Sequence, residues 1–229
     1  MIFNFILWFI CELIEIFAIV KIYKKVESKV KSRFYFICLC IFTVIIAPLA
    51  SLINLLLYYI ILMVQPFLFY AYFYKKEKLP NYLSLFLSFF LYLATQASST
   101  FFSVIISSIT GDQFVKSNWA IFYITINSIS VLFMLKSIDY FEFQLRDFKD
   151  SSFKKIVQKI NIYYFLTILI LNVSHWLSED DHFNSFSSML ATICFLIFMT
   201  TLFYLKAIRE KYEKEEEIRQ RELEQLQLQ

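Results

Sequence analysis

Glu12 and Glu15 stand three residues apart inside the apolar run Phe3 to Val20, so on a helix their carboxyls share roughly one face. At bilayer depth each ionised carboxylate costs about 2.5–3.5 kcal/mol on insertion scales, so the pair must face protein or water. Two uses are open: a cavity lining that senses a cation, or a pair of protonated or hydrogen-bonded packing residues. A second polar set is Gln96, Ser99, Thr100, Ser103, Ser107 and Thr110, whose intervals of 3, 1, 3, 4 and 3 make one stripe along a helix. Small hydroxyl side chains allow close helix packing and interhelical hydrogen bonds, or they line a ligand cavity. The outer half of the stripe is expected to meet Asn118 and Asn127 of the next apolar run and Asn172 and His175 of the one after, forming an outward-open polar pocket ringed by Phe and Tyr. His175 alone suits a hydrogen-bonding helix residue better than a titrating switch. A third set lies between runs: Asp112, Gln113, Phe114 and Lys116 in one loop, and Ser178, Glu179, Asp180, Asp181, His182 and Phe183 in another. Four acids against one base attract a cationic ligand and speed its encounter, more so at low salt. The same bias also follows if bases are simply excluded from that side by topology.

These residues must be positioned by an unusually apolar chain. Of its 229 residues 59% are hydrophobic and 20% aromatic, with a mean hydropathy of +0.60, well beyond ordinary soluble composition. The single glycine, Gly111, cannot build the glycine-rich loops that bring backbone amides to a phosphate, which excludes Rossmann and P-loop chemistry. His175, His182, Cys11, Cys38, Cys40 and Cys194 have no metal-ligand spacing, so no metal site is expected, and the cysteines are expected as free, buried thiols.

Seven runs are long and apolar enough to cross about 30 Å of hydrocarbon. They are Phe3 to Val20, Phe34 to Ala50, Ile53 to Tyr74, Tyr82 to Ile109, Asn118 to Leu135, Ile162 to Leu177 and Phe186 to Leu205. The second and third form one 41-residue stretch, about twice a single crossing, and are split at a hairpin near Pro48, Ser51 and Asn54. The fourth, at 28 residues, must tilt or project beyond the bilayer, and projection at its outer end is favoured. Lys and Arg concentrate on the cytoplasmic side of membranes. Segments 21–33, 75–81, 136–161 and the tail from Lys206 hold six, three, six and six of them, 21 of 22, and only Lys116 falls outside. The expectation is therefore an all-α, multi-pass membrane protein of seven spans, N-terminus out and C-terminus in. The first span lacks a cleavage site and is retained as a helix.

Past Leu205 the chain has no Gly or Pro and consists mostly of strong helix formers, so the last span is expected to continue into the cytoplasm. Residues 206–229 carry six bases and seven acids, with Ile208, Tyr212, Ile218, Leu223 and Leu226 as a broken heptad. They read as a solvated charged helix or as the start of a dimerisation linker, with residues 1–205 as the membrane domain.

The run Ser103 to Val115, with Ser107-Ser108-Ile109-Thr110-Gly111-Asp112 at its centre, resembles the fourth helix and following loop of the streptococcal receptors for competence-stimulating peptide, which implies a quorum-sensing sensor histidine kinase of the AgrC/ComD type. Leu83 to Ser88 and Asn184-Ser185-Phe186 are weaker echoes in the same order, and the likeness spans the membrane half in layout. The resemblance implies a receptor for a secreted, linear, cationic, amphipathic peptide in the cell membrane of a Gram-positive bacterium. It further implies a homodimer, a cytoplasmic response regulator as partner, and a kinase domain after Gln229 that would use ATP and Mg. The 229 residues themselves contain no Arg-His-Asp phosphoacceptor and no ATP-binding glycine-rich segment, and no catalytic residue or nucleic-acid partner is expected of them. The rival from another class is a polytopic transporter or channel, since inward polar stripes also describe a permeation path. Against it stand the lack of an inverted repeat and the scarcity of Gly and Pro. A retinal protein would need a lysine deep in the last span, where Lys206 lies only at the edge. An intramembrane enzyme would need catalytic pairs beyond Glu12 and Glu15.

Overall fold

The computed structural model describes residues 2–26, 37–38, 40–41, 55–111, 119–141, 151–177 and 184–227. Every element among them is α-helical: α1 (Ile2–Val26), α2 (Leu55–Lys75), α3 (Asn81–Thr110), α4 (Trp119–Tyr140), α5 (Ser151–Leu177) and α6 (Asn184–Gln227). Residues 37, 38, 40 and 41, in the second predicted run, are helical as well; the rest of that run and the hairpin at Pro48, Ser51 and Asn54 lie outside the described residues. Helices α3, α4, α5 and α6 are each long and apolar enough to cross a membrane.

The hub is α3, which packs against each of the other five helices. Its residues 86–95 are all buried, so it has no outward face over nearly three turns. Aromatic rings fill the space around it. Phe86 stacks on Tyr164 of α5 at 5.7 Å, Phe90 meets Phe198 of α6 at 5.6 Å, and Phe101 stacks on Phe195 at 4.1 Å. Such offset and tilted ring pairs add about 0.5–1.5 kcal/mol each beyond the area they cover.

Helices α5 and α6 run antiparallel along their length. Ser174 Oγ donates to Ser187 O at 2.7 Å, Thr201 Oγ1 donates to Tyr164 Oη at 2.8 Å, and the rings of Phe153 and Tyr212 meet at 4.6 Å. The last contact lies beyond the sixth predicted run, because α5 starts at Ser151, eleven residues before Ile162. Residues 151–161 are amphipathic, with Phe153, Val157 and Ile160 buried and Lys154, Lys155 and Lys159 exposed, so a search for uninterrupted apolar runs passes over them. Helix α6 is 44 residues long, about 66 Å, roughly twice a membrane's hydrocarbon thickness. Its projecting half is laced by i,i+4 ion pairs, Arg209–Glu213 at 3.3 Å and Lys211–Glu215 at 3.7 Å among them.

The basic segments meet at one end of this bundle. Lys25 at the end of α1 pairs with Asp139 at the end of α4. Lys206 of α6 lies 4.4 Å from the Tyr140 ring centroid and donates to Tyr140 O at 3.2 Å. Asn161 near the start of α5 donates to Tyr82 O near the start of α3 at 2.8 Å. Cys40 and Cys194 are buried as expected, whereas Cys38 is exposed.

At the opposite end α3 stops at Gly111, whose amide donates to Ser107 O at 2.8 Å and whose φ of 79° and ψ of 153° lie where essentially only glycine is comfortable. A Cβ there would meet no atom within 4 Å, so the strain is purely of the backbone. Gly111→Ala is expected to destabilise the protein by about 1–3 kcal/mol, read as a lowered thermal midpoint in detergent; an unchanged midpoint would mean that this loop does not hold its conformation.

Candidate functional site

Gln96 stands midway along the 30 residues of α3, about 22 Å from either end. Gln96 Nε2 donates to Glu15 Oε1 of α1 at 2.8 Å. One turn further, Ser99 Oγ donates to Asn127 Oδ1 of α4 at 2.9 Å. Ser130, one turn along α4 from Asn127, is 4% exposed, and its hydroxyl has no partner. These side chains, with Ala18, Ala94 and Ser98 as small neighbours, enclose a cavity of about 30 Å³. That is room for a water or two, which the unpartnered Ser130 hydroxyl and the carboxyl would hydrogen-bond. The small residues explain why the gap exists: alanine and serine let three backbones approach while leaving the longer polar side chains to bridge what remains.

The arrangement is a polar chamber at the middle of α3, with its hydrogen bonds running from α3 to α1 on one side and to α4 on the other. It can hold water or a small cation and set the register of three helices. It is far smaller than the roughly 300–1,000 Å³ of sites for larger ligands.

The sequence-predicted residues distribute unevenly over this geometry. Glu15, Gln96, Ser99 and Asn127 converge. Thr100, Ser107 and Thr110 instead bond back to carbonyls of their own helix, to Gln96, Val104 and Ile106 at 2.8, 3.1 and 2.8 Å, while Ser103 is half-buried. Gln96 and Ser99, in the inner part of the stripe, are thus the members that these hydrogen bonds tie to other helices. Asn172 does not join that stripe: it is 3% exposed and bonds Tyr92 of α3 and Ile168 O, with its Nδ2 donating at 3.0 and 2.8 Å. Asp112, Gln113, Phe114, Asn118, Glu179, Asp180, Asp181, His182 and Phe183 lie outside the described residues, as do the side chains of Glu12 and His175. Among the described residues no three His, Cys, Asp or Glu side chains gather as a metal centre would require.

Ser130 and Tyr92 were not singled out by sequence. Ser130 follows Asn127 at i+3, a signal available in principle, whereas Tyr92 sits in an apolar run where tyrosine is unremarkable until its hydroxyl finds Asn172. No protein-family profile, curated protein or solved structure matches the chain.

Proposed function

We propose that this chain is the membrane sensor half of a quorum-sensing histidine kinase: a seven-span receptor, N-terminus out and C-terminus in, for a secreted cationic amphipathic peptide. The observation that carries the reading is α6. One unbroken helix begins at Asn184, passes the buried Phe195 and Phe198, is latched at the basic end by Lys206 on Tyr140, and runs on to Gln227. It is braced against α5 as far as Tyr212, and residues 213–226 are all exposed. A rigid rod that leaves a packed membrane bundle as a charged helix suits transmission of a displacement better than transport. Ile218, Leu223 and Leu226, 56%, 54% and 69% exposed, supply the apolar positions for pairing with a second copy.

In this reading the acidic residues Asp112, Glu179, Asp180 and Asp181 steer the peptide to the outer ends of α3 to α6, with Gln113, Phe114, His182 and Phe183 beside them. Ser103, Ser107, Thr110, Asn118, Asn172 and His175 are the remaining candidates for contact. The ligand shifts a two-state arrangement of α6 across a homodimer in the cell membrane. The catalytic domain, its ATP and Mg, and the response regulator that it serves lie beyond these residues, and competence is the response that the sequence resemblance suggests. Ligand energy enters only through differential affinity: a swing from 1:99 to 99:1 takes about 5.5 kcal/mol. Exposed charge pairs give about 0–1 kcal/mol each, so aromatic anchoring must supply most of it.

The test is binding of a synthetic, linear, amphipathic peptide of net positive charge to the purified protein in nanodiscs. Asp112→Ala is expected to weaken binding a few-fold, and combined neutralisation of Glu179, Asp180 and Asp181 by about tenfold, both more at low salt. Unchanged affinity in both variants removes the electrostatic part of the proposal, and absence of any peptide binding removes the receptor. The polar chamber favours a second reading, a transporter or channel for a small cation; cation flux into proteoliposomes that Glu15→Gln abolishes would establish it.

A further inference from the structure

We infer that the groove between α3 and α5 at the basic end of the bundle is a binding site for an anionic phospholipid. The groove encloses about 620 Å³, within the range of about 300–1,000 Å³ typical of ligand sites. Helix α5 forms one wall and the start of α3 the other, and the lining changes along the groove. Phe89, Ile162 and Phe165 line the stretch towards the middle of the bundle, with Ile162 and Phe165 exposed and Phe67 of α2 set edge-on to Phe89 and Phe165 at 6.1 and 6.5 Å. These are surfaces for acyl chain. Lys154, Gln158 and Asn161 line the stretch towards the basic end, on the amphipathic first turns of α5, and no carboxylate lines the groove.

Two features of the polar end select the headgroup. Lys154 supplies a cation. Helix α3 begins at the groove mouth after Pro80, with no side-chain cap and no acid in its first turn, so its N-terminal partial positive charge is left for a ligand. Asn161, only 7% exposed, donates from Nδ2 to Tyr82 O at 2.8 Å and so ties the two helices together at the groove floor. The two features call for a phosphate without a compensating headgroup cation. Choline and ethanolamine each bring a positive charge towards Lys154. A glycerol headgroup leaves the lipid its net negative charge.

The site rests on the membrane-spanning part of the receptor reading and not on the peptide ligand. The probe is phosphatidylglycerol. The whole chain, purified in mild detergent, is offered equal amounts of phosphatidylglycerol, phosphatidylethanolamine and phosphatidylcholine of matched acyl chains, and bound lipid is read by native mass spectrometry. The expected result is a preference for phosphatidylglycerol over phosphatidylcholine of about fivefold, the scale of one Lys beside an anionic lipid. Lys154→Gln is expected to remove most of it, and Lys214→Gln on the exposed tail to leave it intact. Equal retention of the three lipids, or an unchanged preference in Lys154→Gln, overturns the site. Absence of the preference from the unsubstituted chain, when that chain still inserts into vesicles, counts against the groove alone; a chain that inserts into no bilayer counts against the membrane reading as well.

Discussion

Gln96→Leu is expected to destabilise the bundle by about 2–3 kcal/mol, more than an ordinary interhelical hydrogen bond would suggest. Such bonds in membrane proteins average about 0.6 kcal/mol and reach about 1.7 kcal/mol, because the reference state within the membrane also finds partners. Here the larger figure comes from what the substitution leaves behind. Glu15 Oε1 accepts the Gln96 amide at 2.8 Å in the middle of an apolar bundle. Removing the donor strands a carboxyl, and a stranded buried polar group costs its full desolvation penalty, about 1–3 kcal/mol and more when charged. The sign of the double variant follows from the same physics. Replacing both partners by apolar side chains leaves nothing unsatisfied, so Glu15→Leu with Gln96→Leu should return most of the lost stability. Unfolding in mixed micelles across the four-member cycle measures both the single cost and the coupling. A loss below about 0.6 kcal/mol in Gln96→Leu would sink the idea that this contact holds α1 to α3, and would mean that water in the chamber, or the Ser130 hydroxyl, takes over the carboxyl.

The helices themselves were legible in the sequence to the extent that their boundaries coincide with a change of polarity. The predicted run Tyr82 to Ile109 became Asn81–Thr110, because a proline precedes it and a glycine ends it. Continuation of the last span past Leu205 was likewise readable, since nothing in residues 206–227 breaks a helix. The start of α5 was not, because Lys154, Lys155 and Lys159 interrupt apolarity while preserving periodicity, and hydropathy averages over that distinction. The chamber was legible as parts only. Glu15, Gln96, Ser99 and Asn127 each stand out as polar residues in apolar runs, yet which of them meet depends on the relative height and rotation of three helices, which one sequence does not encode locally. Asn172 illustrates the limit: its depth put it with the stripe of α3, whereas its rotation turned it onto Tyr92.

Phe198→Ala is expected to cost about 2–2.5 kcal/mol and, in the receptor reading, to disconnect α6 from the ligand. Phe198 is fully buried, with the rings of Phe90 of α3 and Tyr164 of α5 at 5.6 and 5.8 Å. In a soluble core a buried Phe→Ala change costs about 3–5 kcal/mol, part of it the lost transfer of the ring out of water. In a bilayer the separated helices face hydrocarbon, so that part largely vanishes and dispersion at the cavity remains. A cavity on the order of 100 Å³ at about 24 cal/mol per Å³ gives the lower figure. Phe203, on the same helix but 54% exposed and touching Phe141 edge-on at 4.7 Å, is the matched control, and its Ala variant should lose less than about 1 kcal/mol. The functional arm separates packing from binding. Because Phe198 lies 14 residues, about 21 Å, along α6 from Asn184, away from the acidic residues proposed to hold the peptide, its Ala variant should bind peptide normally while cross-linking between engineered cysteines in the two tails ceases to respond to it. Equal stability loss at both positions would show that α6 is not clamped at Phe198, and an intact tail response despite the cavity would show that the clamp is not what carries the signal.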